Sequence, residues 1–236
     1  MENAGYATLS RQTGLMNEMQ IVANNIANAV TTGYRQEGLI FSEYVREVDN
    51  GASLSMGFGN TRNTSFEQGT LTETGGIFDF AIEGDAFFLL ETPDGDRLTR
   101  AGSFARNAAG DLVNQDGYRV LDAGGAPVFI PFGVQILVAG DGTISANENP
   151  IGQIGLVVPN DPNAMVREGG VTLRADAGFV ASATARVKQG FVENSNVNVI
   201  GQLARMIEVQ RAYELGASFL ESEDERVRQA ISSLTK

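Results

Sequence analysis

The C-terminal segment carries the pattern that most restricts the fold of this chain. From residue 199 to residue 234, mostly apolar residues recur at alternating steps of four and three over about five heptads. This spacing is typical of a helix with a narrow coiled-coil seam. Asn198 directly precedes the segment and is the predicted N-cap. The predicted seam consists of Val199, Leu203, Met206, Gln210, Tyr213, Ala217, Leu220, Asp224, Val227, Ile231 and Leu234.

A second, shorter seam lies near the N-terminus. The same spacing continues there over about four turns, and its members are Leu15, Met19, Val22, Ile26 and Ala29. Gly33 fits the position just past a helix, where a positive φ closes the last turn, so a helix is predicted over residues 1–33. Two narrow seams at opposite ends favour helices that pair with each other and with neighbouring copies. The alternative is a C-terminal helix that packs on its own β domain.

The centre of the chain has a different texture. Glycines punctuate residues 34–76, which are predicted to be an extended linker with short strands near 39–48 and 65–72. In residues 77–187, apolar runs alternate with Asp-Gly and Gly-Asp turns about every ten residues, which predicts an antiparallel β domain. Residues 188–236 are predicted to be the C-terminal helix. The predicted fold class is therefore α+β, with coiled-coil ends around a central β domain.

Composition excludes several kinds of protein. The 236 residues include 17 Lys and Arg against 29 Asp and Glu, and this net charge of −12 disfavours nucleic acid or an anionic membrane surface as the main partner. No apolar run is long enough for a membrane span, and the start lacks the features of a secretory signal. The absence of Cys and His removes disulfides, thiolate chemistry and the usual general base. No metal, cofactor, nucleotide or small-molecule substrate is expected.

The remaining chemical motifs are weak. "GFGNTR" has Arg62 where a dinucleotide fingerprint needs its third glycine, and "PDGDRLT" lacks the glycine and glutamate of a calcium loop. The second motif is predicted to be a hairpin turn. A carboxylate hydrolase using Asp94, Asp96 or Asp141 stays open as a hypothesis. A β-rich binding module with helical oligomerisation ends and an adhesin or phage-tail-like structural protein also stay open.

Several motifs together resemble one family. "VANNIANAVTTGY" at residues 22–34 and "SNVNVIGQLARMIEVQRAYE" at residues 195–214 are similar to the terminal blocks of flagellar basal-body rod and hook proteins. "AIEGDAFFLL", "TRAGSF" and "GDLVNQDGYRV" resemble the β domain of that family. The resemblance covers nearly the whole chain, and the terminal blocks are its most specific part.

The resemblance implies a structural role. The terminal helices would pack into an inner coiled-coil tube, and Asn24, Asn25 and Asn28 would lie where helices of several subunits meet and bond across them. The implied partners are other rod and hook subunits and the flagellar type III export apparatus, and the implied location is the periplasmic rod of the basal body. The length and the uninterrupted "RQEGLIFSEYV" favour a proximal rod subunit, with a distal rod subunit as the near alternative.

Overall fold

The computed structural model describes residues 2–46 and 54–234, so Val48, at the end of the first predicted linker strand, lies outside the described residues. The chain divides into two compact units. We call them the helical unit, formed by the described parts of residues 1–27, 37–65 and 198–236, and the β unit, formed by residues 28–36 and 66–197. Each unit therefore contains segments that are far apart in the sequence.

The helical unit contains two long helices and one long hairpin. Helix α1 is Glu2–Ala27 and helix α2 is Val199–Leu234. Strands β1 (Glu37–Arg46) and β2 (Leu54–Thr64) pair in antiparallel fashion, and α1 contacts α2 and both strands. The predicted pairing of the terminal helices is confirmed. The N-cap prediction is also confirmed, because the Asn198 side-chain oxygen accepts the Gly201 N–H at 3.1 Å.

The predicted C-terminus of the first helix is wrong by six residues. Helix α1 ends at Ala27, and residues 28–36 belong to the β unit. Gly33 does have a positive φ of 71°, but it does not cap the helix. Its N–H donates to the carbonyl oxygen of Glu193 at 2.7 Å, so a contact distant in sequence determines its conformation. Residues 37–64, inside the segment expected to be a linker, hold the β1–β2 hairpin.

The β unit is built from sixteen short strands, and all its strand pairs are antiparallel. The strands are β3 (Leu71–Glu73), β4 (Phe80–Glu83), β5 (Phe87–Thr92), β6 (Gly95–Thr99), β7 (Ala105–Arg106), β8 (Leu112–Val113), β9 (Arg119–Leu121), β10 (Ile136–Val138), β11 (Thr143–Ala146), β12 (Asn149–Gln153), β13 (Leu156–Pro159), β14 (Met165–Gly169), β15 (Thr172–Ala175), β16 (Phe179–Ala181), β17 (Arg186–Gln189) and β18 (Phe191–Glu193).

Strand β5 is at the centre of the β unit. The largest sheet has the order β14-β15-β6-β5-β9-β8-β7, and β13 pairs with both β5 and β16. Phe88 and Leu90 point into one apolar cluster, whereas Phe87 and Leu89 point into a second cluster on the opposite face. The continuous run "FFLL" therefore forms a strand that is buried on both faces. The predicted hairpin at "PDGDRLT" is confirmed as the β5–β6 turn.

Three turns of the β unit repeat one geometry at intervals of seven or eight residues. The first residue of each turn is Asn107, Asn114 or Asp122, and its side-chain oxygen accepts backbone N–H groups two and four residues later at 2.8–3.1 Å. A glycine with positive φ follows three residues after each, at Gly110, Gly117 and Gly125. These side-chain turns satisfy backbone donors that the short strands leave unpaired.

Candidate assembly surface

Helices α1 and α2 pack side by side in antiparallel orientation. The side chain of Asn25 bonds that of Gln202 near one end, and Gln12 donates to the Tyr213 carbonyl oxygen further along. Between these points Arg205 Nε donates to Glu18 Oε1 at 2.6 Å, and this carboxylate raises the pKa of Arg205. From one contact to the next, the residue numbers fall along α1, from 25 to 18 to 12, and rise along α2, from 202 to 205 to 213. The two helices are therefore antiparallel.

The face of α2 that packs on α1 differs from the predicted seam. Val209 is 2 % exposed, and the half-buried residues around it include Gln202, Met206, Tyr213, Gly216 and Leu220. These residues also follow four-three spacing, displaced by one position from part of the predicted stripe. Met206, Tyr213 and Leu220 belong to both sets. The other predicted members are exposed, and they are Val199, Leu203, Gln210, Ala217, Asp224, Val227, Ile231 and Leu234.

A second apolar face of α2 is open to solvent in this chain. Ile200 is 80 % exposed, Leu203 is 49 % exposed and Ile207 is 51 % exposed. These three residues fall within about 60° of one another around the helix at 100° per residue. Apolar side chains that share one exposed face, rather than lying scattered singly, are typical of an interaction surface.

The candidate packing residues of α1 divide by burial. Leu15 and Val22 are buried, Met19 and Ile26 are half-buried, and Asn24 is exposed. Asn28 lies beyond the helix, in the β unit, where its side-chain oxygen accepts the Thr31 hydroxyl at 3.2 Å. The apolar stripe of α1 is therefore largely used within the helical unit.

Asn25 has a role inside the chain that the sequence pattern did not indicate. Its side chain is 1 % exposed. Its Oδ1 accepts the Glu37 N–H at 2.9 Å and its Nδ2 donates to the Glu37 carbonyl oxygen at 2.7 Å. The amide thus satisfies the hydrogen-bonding capacity of the N–H and the C=O of Glu37 at the start of β1, as a neighbouring strand would. A buried asparagine is required here because an apolar residue would leave those groups unpaired.

A buried charge cluster lies where the β unit receives and releases the chain. Arg35, Arg100 and Glu193 are each at most 3 % exposed. Glu193 Oε1 lies 2.8 Å from Arg35 Nη2, and its Oε2 lies 3.2 Å from Arg100 Nη1. Burial lowers the pKa of Arg100 to about 10, against the opposing charge of Glu193, so Arg100 stays charged at neutral pH. Burial also lowers the pKa of Arg35, and the charge of Glu193 opposes this shift. Because a buried charge without a partner is costly, each member depends on the others.

Hydrogen bonds between side chains and the backbone extend this cluster into a junction between distant segments. We define the junction as residues 33–36, 66–69 and 193–196 together with Arg100. Gln36 N–H donates to Asn196 Oδ1 at 2.6 Å, and Asn196 Nδ2 donates to the Glu67 carbonyl oxygen at 2.8 Å. Gly69 N–H donates to Glu193 Oε1 at 3.0 Å. The motifs "TTGY" and "SNVN", which mark the two ends in the sequence, therefore contain or adjoin the residues that tie the entry and exit of the β unit together.

Gly33→Ala is expected to destabilise the β unit by about 2–5 kcal/mol. The added Cβ would lie 2.1 Å from Ala101 N and 2.4 Å from the Arg100 carbonyl carbon, at a φ of +71° that disfavours L side chains. Gly117→Ala is the matched control, because its φ is +85° but its Cβ would meet nothing within 4 Å. Hydrogen exchange of peptides from β5 and β6 measures the difference. Equal effects of the two variants would show that the close approach at Gly33 is unimportant.

The carboxylates considered for catalysis do not form an active site. Asp94 and Asp96 are exposed at the β5–β6 turn. Asp141 accepts both the N–H and the hydroxyl of Thr143 at 2.9 Å, and these bonds lower the pKa of Asp141, whereas a general acid needs a raised one. Within residues 2–46 and 54–234 no cluster of acidic residues suited to a metal ion is present. Neither described helix has the length and apolarity needed to cross a membrane.

Three protein-family models match separate parts of the chain. Residues 6–35 match "Flagella basal body rod protein", residues 81–146 match "Flagellar hook protein FlgE/F/G D1 domain", and residues 188–233 match "Flagellar basal body rod FlgEFG protein C-terminal". The first and last matches include most of α1 and α2, and the middle match covers most of β4 and all of β5 to β11 with their turns. The match regions therefore correspond to the helix pair and to the centre of the β unit.

Relatives that match over nearly their whole length are also flagellar basal-body rod proteins. The chain is 38 % identical to "Flagellar basal-body rod protein FlgF" of Caulobacter vibrioides, over 100 % of this chain and 99 % of that protein. It is 36 % identical to the FlgF protein of Mesorhizobium japonicum over 99 % and 98 %. It is 28 % identical to the FlgG protein of Bacillus subtilis over 96 % and 97 %. At such identity over the whole length, this chain belongs to the flagellar basal-body rod protein family.

Proposed function

We propose that this chain is a structural subunit of the bacterial flagellar basal-body rod, the drive shaft that carries motor torque to the hook. The observation that carries the proposal is the open apolar face of α2, in a chain whose full-length relatives are rod proteins. An isolated globular protein has no use for such a face, whereas a subunit of a helical assembly buries it against its neighbours. The role is architectural rather than enzymatic.

The proximal part of the rod is the proposed position, with the distal rod as the alternative. Identity to the relatives named FlgF, 38 % and 36 %, exceeds the 28 % identity to the Bacillus subtilis FlgG, which supports the F-type, proximal assignment. The proposed partners are other rod and hook subunits, after passage through the flagellar export apparatus into the periplasm. A protein built for assembly by helix packing needs no cofactor for this role.

The exposed members of the predicted seams are the proposed contacts between subunits. On α2 these are Val199, Leu203, Gln210, Ala217, Asp224, Val227, Ile231 and Leu234. On α1 the exposed candidate is Asn24, which lies beside the seam rather than in it. An amide offers both donors and an acceptor, so Asn24 and Gln210 can bond to backbone or side-chain groups of a neighbour. The buried members, such as Leu15 and Val22, act indirectly, because they hold the helix pair that presents this surface.

Leu203→Asp is expected to abolish incorporation into the rod without unfolding the chain. Leu203 is half exposed within the single chain, so a carboxylate there remains hydrated. In an assembled rod the same carboxylate would be buried without a partner, a cost of several kcal/mol at every copy. The experiment measures swimming and the amount of chain in purified basal bodies, in cells that carry only the variant. Circular dichroism of the purified variant checks that its helices are retained.

Glu208→Gln is the matched control for this experiment. Glu208 lies on the same helix with its side chain exposed, and it pairs with Arg205 at 3.1 Å on the surface, where such a pair contributes little. This variant is expected to swim and assemble normally. Normal assembly of Leu203→Asp would instead favour a binding module whose α2 face has no role in assembly. Met206 is unsuitable for the same test, since it is half-buried against α1 and an acid there would disturb the helix pair itself.

A further inference from the structure

The helical unit presents an exposed apolar row and a separate groove. The first, which we call the ridge, is the row Ile200, Leu203 and Ile207 on the open face of α2. The second, which we call the groove, has a volume of about 340 Å³ and runs between α1 and α2. The α2 wall of the groove is apolar, whereas its α1 wall is mostly polar, and both features are accessible in the single chain. The groove is lined by Thr8, Arg11, Gln12 and Leu15 of α1 and by Ala212, Leu215, Gly216 and Phe219 of α2.

We propose that the ridge of one copy docks into the groove of a second copy of this chain, with the two α2 helices parallel and displaced by twelve residues. This inference rests on the proposed function, because it names the partner and the register of the subunit contact. At 1.5 Å per residue the displacement corresponds to about 18 Å along the helix axis. The ridge lies in the first quarter of α2, whereas the α2 wall of the groove lies near its middle.

The side-chain spacing along α2 supports this register. With a displacement of twelve residues, Ile200 faces Ala212, Leu203 faces Leu215 and Ile207 faces Phe219. Ile200 therefore meets the small side chain of Ala212 at one end of the groove. Further along, the other two ridge residues meet the larger apolar side chains of Leu215 and Phe219. Because ridge and groove residues recur at the same three-four spacing, all three pairs form together or not at all.

Charge beyond the apolar pairs fits the same register. The ridge face continues with Arg211 and Glu214, and the groove face continues with Glu223 and Arg226. A displacement of twelve residues places Arg211 against Glu223 and Glu214 against Arg226, so both pairs are of opposite sign. Within one chain Glu223 and Arg226 already bond each other at 2.5 Å. In the assembly the four charges would form one alternating surface network, which contributes more to register than to affinity.

Gly216 has a reason to be in the middle of α2. Glycine weakens a helix interior, and its presence often marks the close approach of another chain. A Cβ at Gly216 would lie 3.2 Å from Nε2 and 3.4 Å from Cγ of Gln12, a flexible side chain, so packing of α1 does not require the glycine strictly. Its missing side chain instead keeps the floor of the groove open for an incoming ridge.

The geometry of this contact determines what it can build. The ridge and the groove are different surfaces of the same chain, so the contact is heterologous and leaves one unused ridge and one unused groove on each pair. Each further copy is added by the same contact and in the same direction. The result is an open helical assembly, unless the rotation from one copy to the next closes a ring. An axial offset with each copy is incompatible with a flat closed ring.

Cysteine crosslinking tests the register directly, because the chain contains no cysteine of its own. The variant Arg211→Cys/Glu223→Cys is expressed as the only copy in cells that build basal bodies. The basal bodies are purified, treated with a mild oxidant and separated on a denaturing gel. The expected result is a ladder of dimers, trimers and larger species. Arg211→Cys alone and Glu223→Cys alone are expected to give at least tenfold less dimer, because each lacks its partner thiol.

Arg211→Cys/Glu225→Cys is the matched control, since residue 225 points to the ridge side of α2 rather than to the groove side. No ladder is expected from it. A dimer from Arg211→Cys alone would overturn the proposal, because it indicates a symmetric ridge-to-ridge contact. If Arg211→Cys/Glu223→Cys is present in the basal bodies but stays monomeric after oxidation, the proposal is also overturned. The same holds if it crosslinks only to a protein of another mass. Absence of the unmodified chain from basal bodies would instead refute the proposed function.

Discussion

Replacing Glu193 with alanine is expected to lower the free energy of unfolding of the β unit by about 3–5 kcal/mol, the cost of leaving buried charges without their partner. Glu193 is the carboxylate that lies between Arg35 and Arg100, and all three side chains are almost fully buried. Its removal also deprives Gly69 N–H of an acceptor. A loss of this size is a large fraction of the roughly 5–15 kcal/mol that stabilises a typical domain, so the β unit of the variant should open far more often than that of the parent chain.

Hydrogen exchange of β5 and β6 peptides measures this loss without interference from the helices. Glu83→Ala is the matched control, because Glu83 pairs with Lys188 at 3.9 Å and both side chains are about half exposed. An exposed pair of this kind contributes about 0–1 kcal/mol, so the control should exchange almost as slowly as the parent chain. Equal protection in the two variants would mean that the buried cluster is not what holds the junction closed.

Val209→Asp is expected to separate α1 from α2 and to remove most of the helical circular dichroism signal at 222 nm. Val209 is the buried centre of the α2 face that packs on α1. The variant loses about 1.5–3 kcal/mol of apolar burial and adds the penalty of a buried carboxylate. Glycines at positions 201 and 216 weaken α2 by about 1 kcal/mol each, so the helix depends on its partner.

Val227→Asp is the control for this variant. Residue 227 lies eighteen residues after Val209, which is five full turns, so it occupies the same angle around α2. Val227 is 45 % exposed, and an acid there should leave the dichroism nearly unchanged. If both variants lose their helical signal, α2 is sensitive to any added charge and the packing on α1 is not the cause.

Local patterns in the sequence were sufficient for much of the fold. The two terminal helices, the Asn198 cap and the hairpins at Asp-Gly turns all depend on residues a few positions apart. The face of α2 was harder to assign, because two stripes with four-three spacing share Met206, Tyr213 and Leu220. Either stripe alone describes an amphipathic helix. Only the position of α1 distinguishes the face used inside the chain from the face left open.

The charge pairs of the junction had no local signal in the sequence. Arg35 and Glu193 are 158 residues apart, and neither stands in a run of charge that would set it apart from a surface residue. The end of α1 was misplaced for the same reason, since residues 28–36 adopt their conformation against Glu193 and Ala101 rather than by helix propensity. Two features of the sequence could have indicated the junction. One is a glycine that needs a positive φ, and the other is the pair of polar motifs at the borders of the β domain.

The junction also determines how this protein responds to mechanical load. A pull between residues 33–36 and residues 193–196 acts on the Arg35–Glu193 pair and on the Gln36–Asn196 and Gly33–Glu193 hydrogen bonds at once. Bonds loaded together must break together, whereas a hairpin pulled from its open end yields one bond at a time. Tension therefore passes directly between the two segments, and strands such as β10–β12 lie outside its path. The exposed strand β12 can therefore change in sequence without altering the bonds that carry this force.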